Sequence, residues 1–450
     1  MEKGRRDRGG GIVVRVAFWV GAVGLCTCGR PPPNVPETAA SAADPIGDAS
    51  VSTVPPERPS AAAVDAFGAS EDGMSDRAGP VRPGKGTAVA IGAGDDHTCL
   101  LLDTGEVRCW GSGRRGQMGR PGCPHEQRSP ELVEELPSSV WFRSGGSATC
   151  AMTTSGEVLC WGDLPNVPFD QRCPGRHAVW KPRTLDVFSD VARLELGSAE
   201  RWCTETHRGD VKCSTPLPDP LERARQMSFT FWNACGLLGS GEVGCVGTEA
   251  AGPRARKPLA SALVKVPALT DAVRLGRATG ETVCAVRQNG SVVCWGGFGE
   301  EGVLGDGKPH PACQGTECAR HPATVSGLTE ATDVACGGYS CCALTRASDV
   351  WCWGSNAFGQ LGDGVTHAEC RNRYHKVHDC SLTPVRVRGL SGVTEIAAGV
   401  AHTCALTAEG HVYCWGSNEV GECALPAERA PKCEKYPSHE CSPVPVEVTY

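Results

Sequence analysis

Short segments in which apolar and polar residues alternate recur along the chain after residue 86. Each runs into small residues, as at 89–94, 334–338 and 393–399. Alternation with a period of two predicts strands with one buried face, because successive side chains of a strand point to opposite faces. Segments of a second kind, rich in proline and valine, follow downstream at 383–387 and 443–448. The pattern predicts many short strands and an all-β fold.

Between these segments lies a hairpin unit, best preserved in IAAGVAHTCALTAEGHVYCWG at 396–416. If Cys404 faces Cys414 across an antiparallel pair, residues 408–410 form the loop. Glycine then occupies the third loop position, which needs a left-handed backbone. Directly opposed residues also have the short Cβ separation that a disulfide needs. Seven predicted disulfides share this spacing: Cys99–Cys109, Cys150–Cys160, Cys203–Cys213, Cys235–Cys245, Cys284–Cys294, Cys342–Cys352 and Cys404–Cys414.

The hairpins recur at a mean interval of about 51 residues, which is the signature of a repeat protein. Each unit contributes an alternating strand, the two strands of the hairpin and a proline-rich strand. Four short strands in a repeat of this length are typical of a propeller blade. We therefore predict a seven-bladed β-propeller of four-stranded blades over residues 87–450, with a disulfide clamping each hairpin.

Two segments carry a family resemblance. HTCALTAEGHVYCWGSN at 402–418 and CWGSNAFGQLGDG at 352–364 resemble the regulator of chromosome condensation repeat. Units three and four depart from it, because Ser214 and Val246 replace the tryptophan after the second cysteine. The resemblance covers roughly residues 87–450 and implies a seven-bladed β-propeller. It also implies a protein-binding platform, and the activity best known in the family is guanine-nucleotide exchange on a small GTPase.

Residues 1–28 have the character of an export signal. Five basic residues precede an apolar run at 16–25, which is too short to span a bilayer stably. The end of the run, LCTCG at 25–29, resembles a lipobox and predicts lipidation at Cys28, with Cys26 as the alternative. Ordinary signal-peptide cleavage is the other possibility. Both place the mature chain in the cell envelope outside the cytoplasm, as an outer-membrane lipoprotein or a secreted protein.

Residues 29–86 are rich in proline, alanine, serine and glycine and show no apolar periodicity. Such a segment cannot bury enough surface to offset its conformational entropy. We predict a disordered linker that tethers the propeller, the plainer alternative being a spacer trimmed after secretion. The predicted organisation is a signal peptide at 1–28, a linker at 29–86 and the propeller at 87–450.

Cysteine content indicates the compartment in which the protein folds, and net charge limits the classes of partner that it can bind. The chain has 27 cysteines, and so many paired thiols favour an oxidising compartment. The formal net charge is -7 and the isoelectric point is near 6.0, which argues against attraction to DNA or anionic lipid. We expect no nucleic-acid partner, membrane contact only through a lipid anchor, and a monomer.

Most of the remaining cysteines fall in the loops after Trp-Gly. Loops on one rim of a rigid ring are where binding sites usually lie, and disulfides would brace them. Cys423 has no obvious partner. The tentative additional pairs are Cys313–Cys318, Cys370–Cys380, Cys433–Cys441, Cys123–Cys173 and Cys336–Cys341.

Two loops have metal-ligand spacing. Soft donors at such spacing can bind zinc, but thiols in an oxidising compartment tend to form disulfides. We therefore expect disulfides with solvated histidines, no metal and no cofactor. The first set is His310, Cys313, Cys318 and His321, and the second is His367, Cys370, His375, His378 and Cys380.

His97 and His402 precede the hairpin cysteine by two residues in the first and last units, so they should be neighbours where the ring closes. With Asp95 or Asp96 nearby, one of them is a candidate general acid or base. The favoured interpretation is structural, a histidine that hydrogen-bonds a strand end. No nucleophile elbow, phosphate-binding glycine motif or metalloprotease helix is present in the sequence.

Tryptophans fall into two groups. The repeated ones suit packing between blades better than stacking on a sugar or peptide. Any of the others that is exposed would be a better interface anchor. The repeated residues are Trp110, Trp161, Trp295, Trp353 and Trp415, and the others are Trp141, Trp180, Trp202, Trp232 and Trp351.

The predicted function is binding rather than catalysis. We predict an exported, membrane-tethered scaffold that binds an unidentified extracytoplasmic protein or glycan through its loops. An extracellular hydrolase or lyase using the central channel is an alternative. A carboxylate pair or a metal in the channel would favour it, and a lining of small apolar side chains would argue against it. Nucleotide exchange is a further alternative, which export and the acidic balance oppose.

Overall fold

The computed structural model describes residues 84–450 apart from 165–172, 174–178, 186–187, 198–200, 220, 232, 248–262, 298–300, 312–320, 372–376 and 435. The predicted signal peptide, both candidate lipidation sites and nearly all of the linker lie outside the described residues. Every described residue belongs to one compact unit of the chain. No helix in the described part of the chain has the length and apolar character to cross a membrane.

The fold is an all-β, seven-bladed propeller, as predicted. Blades 1 and 2 contain β1 Ala88–Ala93, β2 His97–Leu102, β3 Val107–Gly111, β4 Gln127–Leu132, β5 Ser139–Gly145, β6 Ala148–Thr153, β7 Val158–Gly162 and β8 Val179–Thr184. Blades 3 and 4 contain β9 Val191–Leu196, β10 Trp202–Thr206, β11 Val211–Cys213, a 3-10 turn Leu221–Arg223, β12 Gln226–Phe229, β13 Asn233–Leu237, β14 Val243–Gly247 and β15 Val264–Lys265.

Blades 5 to 7 follow in the same order along the chain. Blade 5 contains β16 Ala272–Leu275, β17 Arg277–Ala278, β18 Thr282–Arg287, β19 Val292–Gly296 and β20 Ala323–Thr324. Blade 6 contains β21 Ala331–Cys336, β22 Ser340–Thr345, β23 Val350–Ser355, β24 Ala368–Arg371 and β25 Val377–Arg386. Blade 7 contains β26 Val393–Ala398, β27 His402–Thr407, β28 Val412–Ser417 and β29 Cys441–Glu447.

Each blade is an antiparallel meander whose first strand is the innermost. Blade 3 shows three strands within the described residues. In blade 5 the inner strand is interrupted, so that β16 pairs with β18 while β17 pairs in parallel with β21 of blade 6. Blade 6 carries an extra outer strand, because β25 pairs with both β23 and β24.

The predicted hairpin register is confirmed. Cys404 lies directly opposite Cys414, their Cα atoms are 4.1 Å apart, and a disulfide joins them. The other six hairpins repeat this arrangement with Cα separations of 4.0 to 4.1 Å. Gly410 adopts φ 90°, and its amide donates to the carbonyl of Thr407 at 3.0 Å. Local turn chemistry and covalent pairing therefore set the same register.

Blades 7 and 1 meet in the same way as other neighbouring blades. The amide of Val400 in blade 7 donates to the carbonyl of Asp95 in blade 1 at 2.8 Å. The same backbone hydrogen bond joins Gly338 to Val400 and Asp95 to Gly146. The proline-rich segment at 443–448 supplies the outer strand of blade 7, as predicted, so each blade is built from consecutive strands.

The core lies between adjacent blades. The five repeated tryptophans are at most 1% exposed, which confirms that they pack rather than stack on a ligand. Four of them donate Nε1 to a loop carbonyl of the preceding blade, at 2.8 to 2.9 Å. Glycine is required in these loops: a Cβ on Gly362 would lie 2.8 Å from Nε1 of Trp415. The Gly-Gln-Leu-Gly motif is therefore a packing site for the tryptophan of the next blade.

Candidate functional site

The loops that follow Trp-Gly in blades 6 and 7 form one continuous area on the rim, here called the blade 6–7 loop surface. It comprises residues 356–367 and 418–440, except residue 435, which is not among the described residues. One disulfide, Cys370–Cys380, joins β24 to β25 beside the first loop, and another, Cys433–Cys441, closes the second. The additional cysteines of these blades thus brace long loops on the rigid ring.

An aromatic cluster joins the two loops. The rings of Phe358 and Tyr436 stack with their centroids 5.7 Å apart and their planes 29° from parallel. His439 completes the cluster, 5.5 Å from the ring of Phe358 and 6.1 Å from that of Tyr436. All three side chains are half-buried. Aromatic side chains with part of each ring in solvent are typical of interface centres, because they offer a large contact area at a low entropic cost.

Exposed apolar side chains extend this area. Val365 is 40% exposed and Val444 is 38% exposed. They belong to neighbouring blades, and the amide of Gly364 links the blades by donating to the carbonyl of Pro443 at 3.0 Å. A contiguous apolar area on a folded surface usually marks a contact with another molecule.

A polar framework fixes the first loop. Asp379 accepts hydrogen bonds from the amide of His367 at 2.6 Å and from Nδ2 of Asn356 at 2.7 Å. Oδ1 of Asn356 in turn accepts from the amide of Leu361 at 3.1 Å. Because these buried and half-buried groups satisfy one another, the loop is pre-organised and loses little conformational entropy on binding.

The second loop is anchored to blade 1. Arg128 of blade 1 forms an ion pair with Glu440 at 2.7 Å, and Lys432 reaches the same carboxylate at 3.1 Å. Burial alone would raise the pKa of Glu440, but the hydrogen bonds from Arg128 and Lys432 lower it below its usual value. The loop therefore bridges the junction at which the ring closes.

A buried carboxyl that the sequence analysis missed lies inside the second loop. The amide of Val420 donates to Oε2 of Glu422 at 2.8 Å, and Ser417 donates to Oε1 at 2.9 Å. Gln360 and Gln117 accept the corresponding amides in blades 6 and 1. Burial raises the pKa of Glu422 to about 7. The available signal was the Gly-Gln dipeptide at 116–117 and 359–360, whose equivalent in blade 7 is Gly-Glu at 421–422.

The two candidate histidines are buried, and each is hydrogen-bonded to a threonine of a neighbouring blade. Nε2 of His97 lies 2.9 Å from Oγ1 of Thr149, and Nε2 of His402 lies 2.8 Å from Oγ1 of Thr98. Burial, followed by the charge of His402, lowers the pKa of His97 to about 3, and burial lowers that of His402 to about 4. The predicted tuning by Asp95 or Asp96 is therefore not what sets these values. Burial and repulsion from Asp96 raise the pKa of Asp95 itself to about 7.

The first metal-ligand loop is only partly described. His310 lies 2.9 Å from Oδ2 of Asp306, and His321 is exposed. Cys313 and Cys318 lie outside the described residues, so their pairing and the four-ligand set stay predictions.

Most of the candidate metal ligands in the second loop contact other side chains. His367 is 2.8 Å from Asp363, and His378 is 3.5 Å from Glu301. The loop's two cysteines are joined to each other, and His375 lies outside the described residues. In the described residues, three ligand-type atoms come within 4.8 Å of one another at Cys284, Cys336 and Cys341, which all belong to disulfides.

Two further tentative cysteine pairs are present as disulfides. Cys123 and Cys173 are joined and link the loops of blades 1 and 2. Cys336 and Cys341 are joined within blade 6. Cys423 is buried without a disulfide partner, and its thiol lies 3.2 Å from the carbonyl of Ser417.

The non-repeated tryptophans provide no exposed anchor within the described residues. Trp141 and Trp202 are buried, and Trp180 and Trp351 are half-buried. Trp232 lies outside the described part of the chain. The aromatic residues at the rim surface are instead Phe358 and Tyr436, which the sequence analysis did not select.

The first strands of the blades carry charged side chains beside small apolar ones. Arg274 makes a two-point ion pair with Asp333, with both N···O distances 3.0 Å. The guanidinium of Arg143 lies 5.1 Å above the ring of Trp141. Glu395 accepts the amide of Ile91 at 3.1 Å, across the junction of blades 7 and 1.

The family profile of the regulator of chromosome condensation (RCC1) repeat matches residues 88–117, 331–360 and 393–422, and a longer form of it matches 104–152, 289–344 and 348–406. The chain is 37% identical over 113 residues to the rat (Rattus norvegicus) probable E3 ubiquitin-protein ligase HERC4, which is 24% of this chain and 10% of that protein. It is 26% identical over 344 residues to the ultraviolet-B receptor UVR8 of Arabidopsis thaliana, covering 74% of this chain and 66% of the receptor.

Among solved structures, the chain is similar to Prp20p from Saccharomyces cerevisiae, a protein with binding properties to Gsp1p and histones. The identity is 17%, the TM-score is 0.46, and the alignment covers 81% of this chain and 77% of the other. The repeats, the blades and the packing of four repeated tryptophans against the loop of the preceding blade agree with one another. The chain therefore belongs to the regulator of chromosome condensation repeat family and folds as a seven-bladed β-propeller.

Proposed function

We propose that this propeller is an interaction scaffold that binds a protein partner outside the cytoplasm through the blade 6–7 loop surface. The observation that carries the proposal is the Phe358–Tyr436–His439 cluster, which spans two blades and is braced by two loop disulfides. A rigid aromatic centre with a polar rim is what protein interfaces use to gain affinity. A glycan is the other class of partner that such rings can stack on.

The number of disulfides supports a location outside the cytoplasm. Eleven disulfides are present among the described residues, and disulfides in such number form and persist in oxidising compartments. Export through the predicted signal at 1–28, with an anchor at Cys28, would deliver the chain to such a compartment. The linker at 29–86 would then hold the propeller away from the membrane.

The family supports binding more than any single reaction. The relatives include proteins named as a ligase and as a receptor, and the chain spans only 10% of the first and 66% of the second. The shared element is the propeller, and a shared fold does not carry an activity with it.

The test is capture of a partner with matched variants. The oxidised full-length protein, a Phe358→Ser/Tyr436→Ser variant and a Val273→Ser variant serve as baits on the envelope fraction of the source organism. Val273 is 52% exposed on blade 5 and controls for the loss of an apolar surface residue. We expect one saturable partner with the wild type and with Val273→Ser, and at least tenfold weaker capture with the double variant. Equal capture by all three folded baits would show that the partner binds elsewhere.

A further inference from the structure

Blade 3 has no fourth strand within the described residues. Its third strand, β11 Val211–Cys213, is therefore the outer edge of its sheet, whereas the third strand of every other blade pairs with a further strand. Between β11 and β12 the structure describes all residues except 220, and this stretch forms bends and the 3-10 turn Leu221–Arg223 instead of a strand. The position that a fourth strand fills in six blades is thus not filled by a strand in blade 3.

The outward backbone groups of β11 are unpaired among the described residues. Cys213 lies directly opposite Cys203 with 4.0 Å between their Cα atoms, which is the close spacing of a non-hydrogen-bonded pair. The N–H and C=O groups of Cys213, and of Val211 two residues before it, therefore point away from β10. The equivalent carbonyl in blade 1, that of Val107, accepts the amide of Val133 at 3.0 Å, but no described group donates to the carbonyl of Val211.

The side chains of β11 are more exposed than their equivalents. Val211 and Cys213 are half-buried. The valine and the cysteine at the same two positions of the other six blades are at most 2% exposed. Because the seven hairpins share one register, this difference indicates that blade 3 lacks a covering element that the other blades have. A sheet edge with a row of free N–H and C=O groups is a template for pairing with another chain.

The fourth strands of the other blades show which sequence fits beside a third strand. In five of them a proline comes directly before the residue that faces the second hairpin cysteine, and a valine or leucine follows the proline by three positions. In four of these blades that valine is at most 4% exposed, and its amide donates to a carbonyl of the third strand at 2.8 to 3.0 Å. The five segments are SPELV at 129–133, KPRTL at 181–185, HPATV at 321–325, TPVRV at 383–387 and VPVEV at 444–448.

The charge of β11 narrows this sequence further. The residue two positions after the proline faces the middle residue of the third strand, as Glu447 faces Tyr413 in blade 7. The middle residue of β11 is Lys212, which is exposed. Opposite charges on directly opposed residues stabilise a pair of strands. An acidic residue two positions after the proline therefore suits blade 3, and the Pro-x-Glu-Val sequence at 445–448 combines these features.

We propose that a partner protein completes blade 3 by adding an extended segment of the Pro-x-Glu-Val type antiparallel to β11. In strand addition, main-chain hydrogen bonds supply the affinity and the side chains of the added segment supply the specificity. The glutamate of the segment pairs with Lys212, and its valine amide donates to the carbonyl of Val211. The site uses no residue of the blade 6–7 loop surface and goes beyond the proposed function, so either can fail alone.

The test is a fluorescence anisotropy titration of a labelled peptide with the oxidised full-length protein. The probe is SPVPVEVTY, the sequence of residues 442–450, and its matched control carries lysine at the position of Glu447. We expect saturable binding of the probe and about fivefold weaker binding of the lysine peptide. The absence of saturable binding by a protein shown to be folded would overturn the proposal, as would equal affinity for the two peptides.

Variants assign the binding to β11. Lys212→Glu should reverse the preference, so that the lysine peptide binds more tightly than the probe. Arg108→Glu changes the same position in blade 1, where β4 already pairs, and should keep the wild-type preference. Val211→Pro removes an amide that no described group uses, and we expect at least tenfold weaker binding of the probe. An unchanged preference in folded Lys212→Glu would overturn the assignment, even if Val211→Pro does not fold.

A second copy of the chain is the competing occupant of this edge. Sedimentation velocity of the oxidised protein without peptide distinguishes the two cases, and we expect a monomer. A dimer that Val211→Pro dissociates would assign the edge of β11 to self-association and overturn the proposal of a partner protein.

Discussion

Thr98 of blade 1 and His402 of blade 7 are joined by a buried hydrogen bond, with 2.8 Å between Oγ1 and Nε2. His97, next to Thr98 in sequence, makes the same bond to Thr149 of blade 2 at 2.9 Å. A single His-Thr pattern therefore ties blades 7, 1 and 2 together, and the ring closes through repeated chemistry rather than through a strand exchanged between its ends. Both imidazoles are neutral at neutral pH, because burial holds the pKa of His97 at about 3 and that of His402 at about 4.

The first prediction concerns acid stability. The pKa of His402 is lowered from 6.5 to about 4 in the folded protein. Between these values the unfolded chain binds a proton that the folded chain does not, so stability is full above pH 6.5 and falls as the pH drops towards 4. The wild type should lose about 2 to 3 kcal/mol of stability over this pH range because of His402, and the His402→Gln variant should not show this loss. Urea unfolding from pH 4 to 8 measures it, and identical slopes for wild type and variant would contradict the neutral-imidazole account.

The second prediction has the opposite sign. The pKa of Glu422 is raised from 4.5 to about 7, so the folded state holds a proton that the unfolded state releases. The associated stability is present below pH 4.5 and is lost as the pH rises to 7. Glu422→Gln keeps the acceptor for Val420 and should stabilise the protein by about 3 kcal/mol at pH 8, with little change at pH 4.

A reciprocal variant serves as the control. Gln360→Glu places a carboxyl in the equivalent loop of blade 6 and should destabilise the protein at pH 8 but not at pH 4. Glu434→Gln, at an exposed position in the same loop as Glu422, should have no effect at either pH. Denaturant midpoints at pH 4 and pH 8 measure these differences in stability. If Glu422→Gln stabilises the protein equally at both pH values, titration of Glu422 is not the cause.

The hairpins, the blade boundaries and the buried tryptophans were predictable because their determinants are local. A cysteine spacing of ten and a glycine in the loop fix a register within a few residues, as at Cys404 and Gly410. The electrostatic effect of Arg277 on Arg143 was not predictable, because it joins strands of blades 5 and 2 that are far apart in the sequence. The Phe358–Tyr436 contact was missed for the same reason, since it joins loops of different blades. Glu422 was foreseeable only by comparing each loop with its equivalents.

The third prediction tests loop conformation. Ser348 occupies the loop position held by glycine in the other six hairpins and adopts φ 61°. A residue with a Cβ is strained there, so Ser348→Gly should stabilise the protein by up to about 1 kcal/mol. Gly156→Ser is the matched opposite, because Gly156 has φ 82° and a Cβ added to it would meet no atom within 4 Å. It should cost about 1 kcal/mol, and equal melting temperatures for both variants and wild type would contradict the strain argument.

The fourth prediction concerns the clamps. Each hairpin disulfide closes a short loop and should contribute about 2 to 3 kcal/mol. Complete reduction should therefore lower the melting temperature by on the order of 20 °C or more. Calorimetry of the oxidised protein and of the reduced, alkylated protein measures the difference. The Cys370→Ser/Cys380→Ser variant removes a single bridge of the same sequence separation, so it should show only a small part of the loss in melting temperature that full reduction causes. An unchanged melting temperature on full reduction would show that the clamps do not stabilise the fold.

The last prediction addresses the end of the chain. The hydroxyl of Tyr450 accepts the amide of Ala88 at 3.1 Å and donates to the carbonyl of Gly410 at 2.5 Å, so one side chain joins blades 1 and 7. Tyr450→Phe leaves both backbone groups without this partner and should cost about 1 to 3 kcal/mol. Deletion of residues 441–450 also removes β29 and the buried Val448, and should destabilise the whole propeller. Tyr436→Phe, at the rim, is the control and should leave the urea midpoint unchanged. A deletion variant with the wild-type midpoint would mean that blade 7 does not need its outer strand to close the ring.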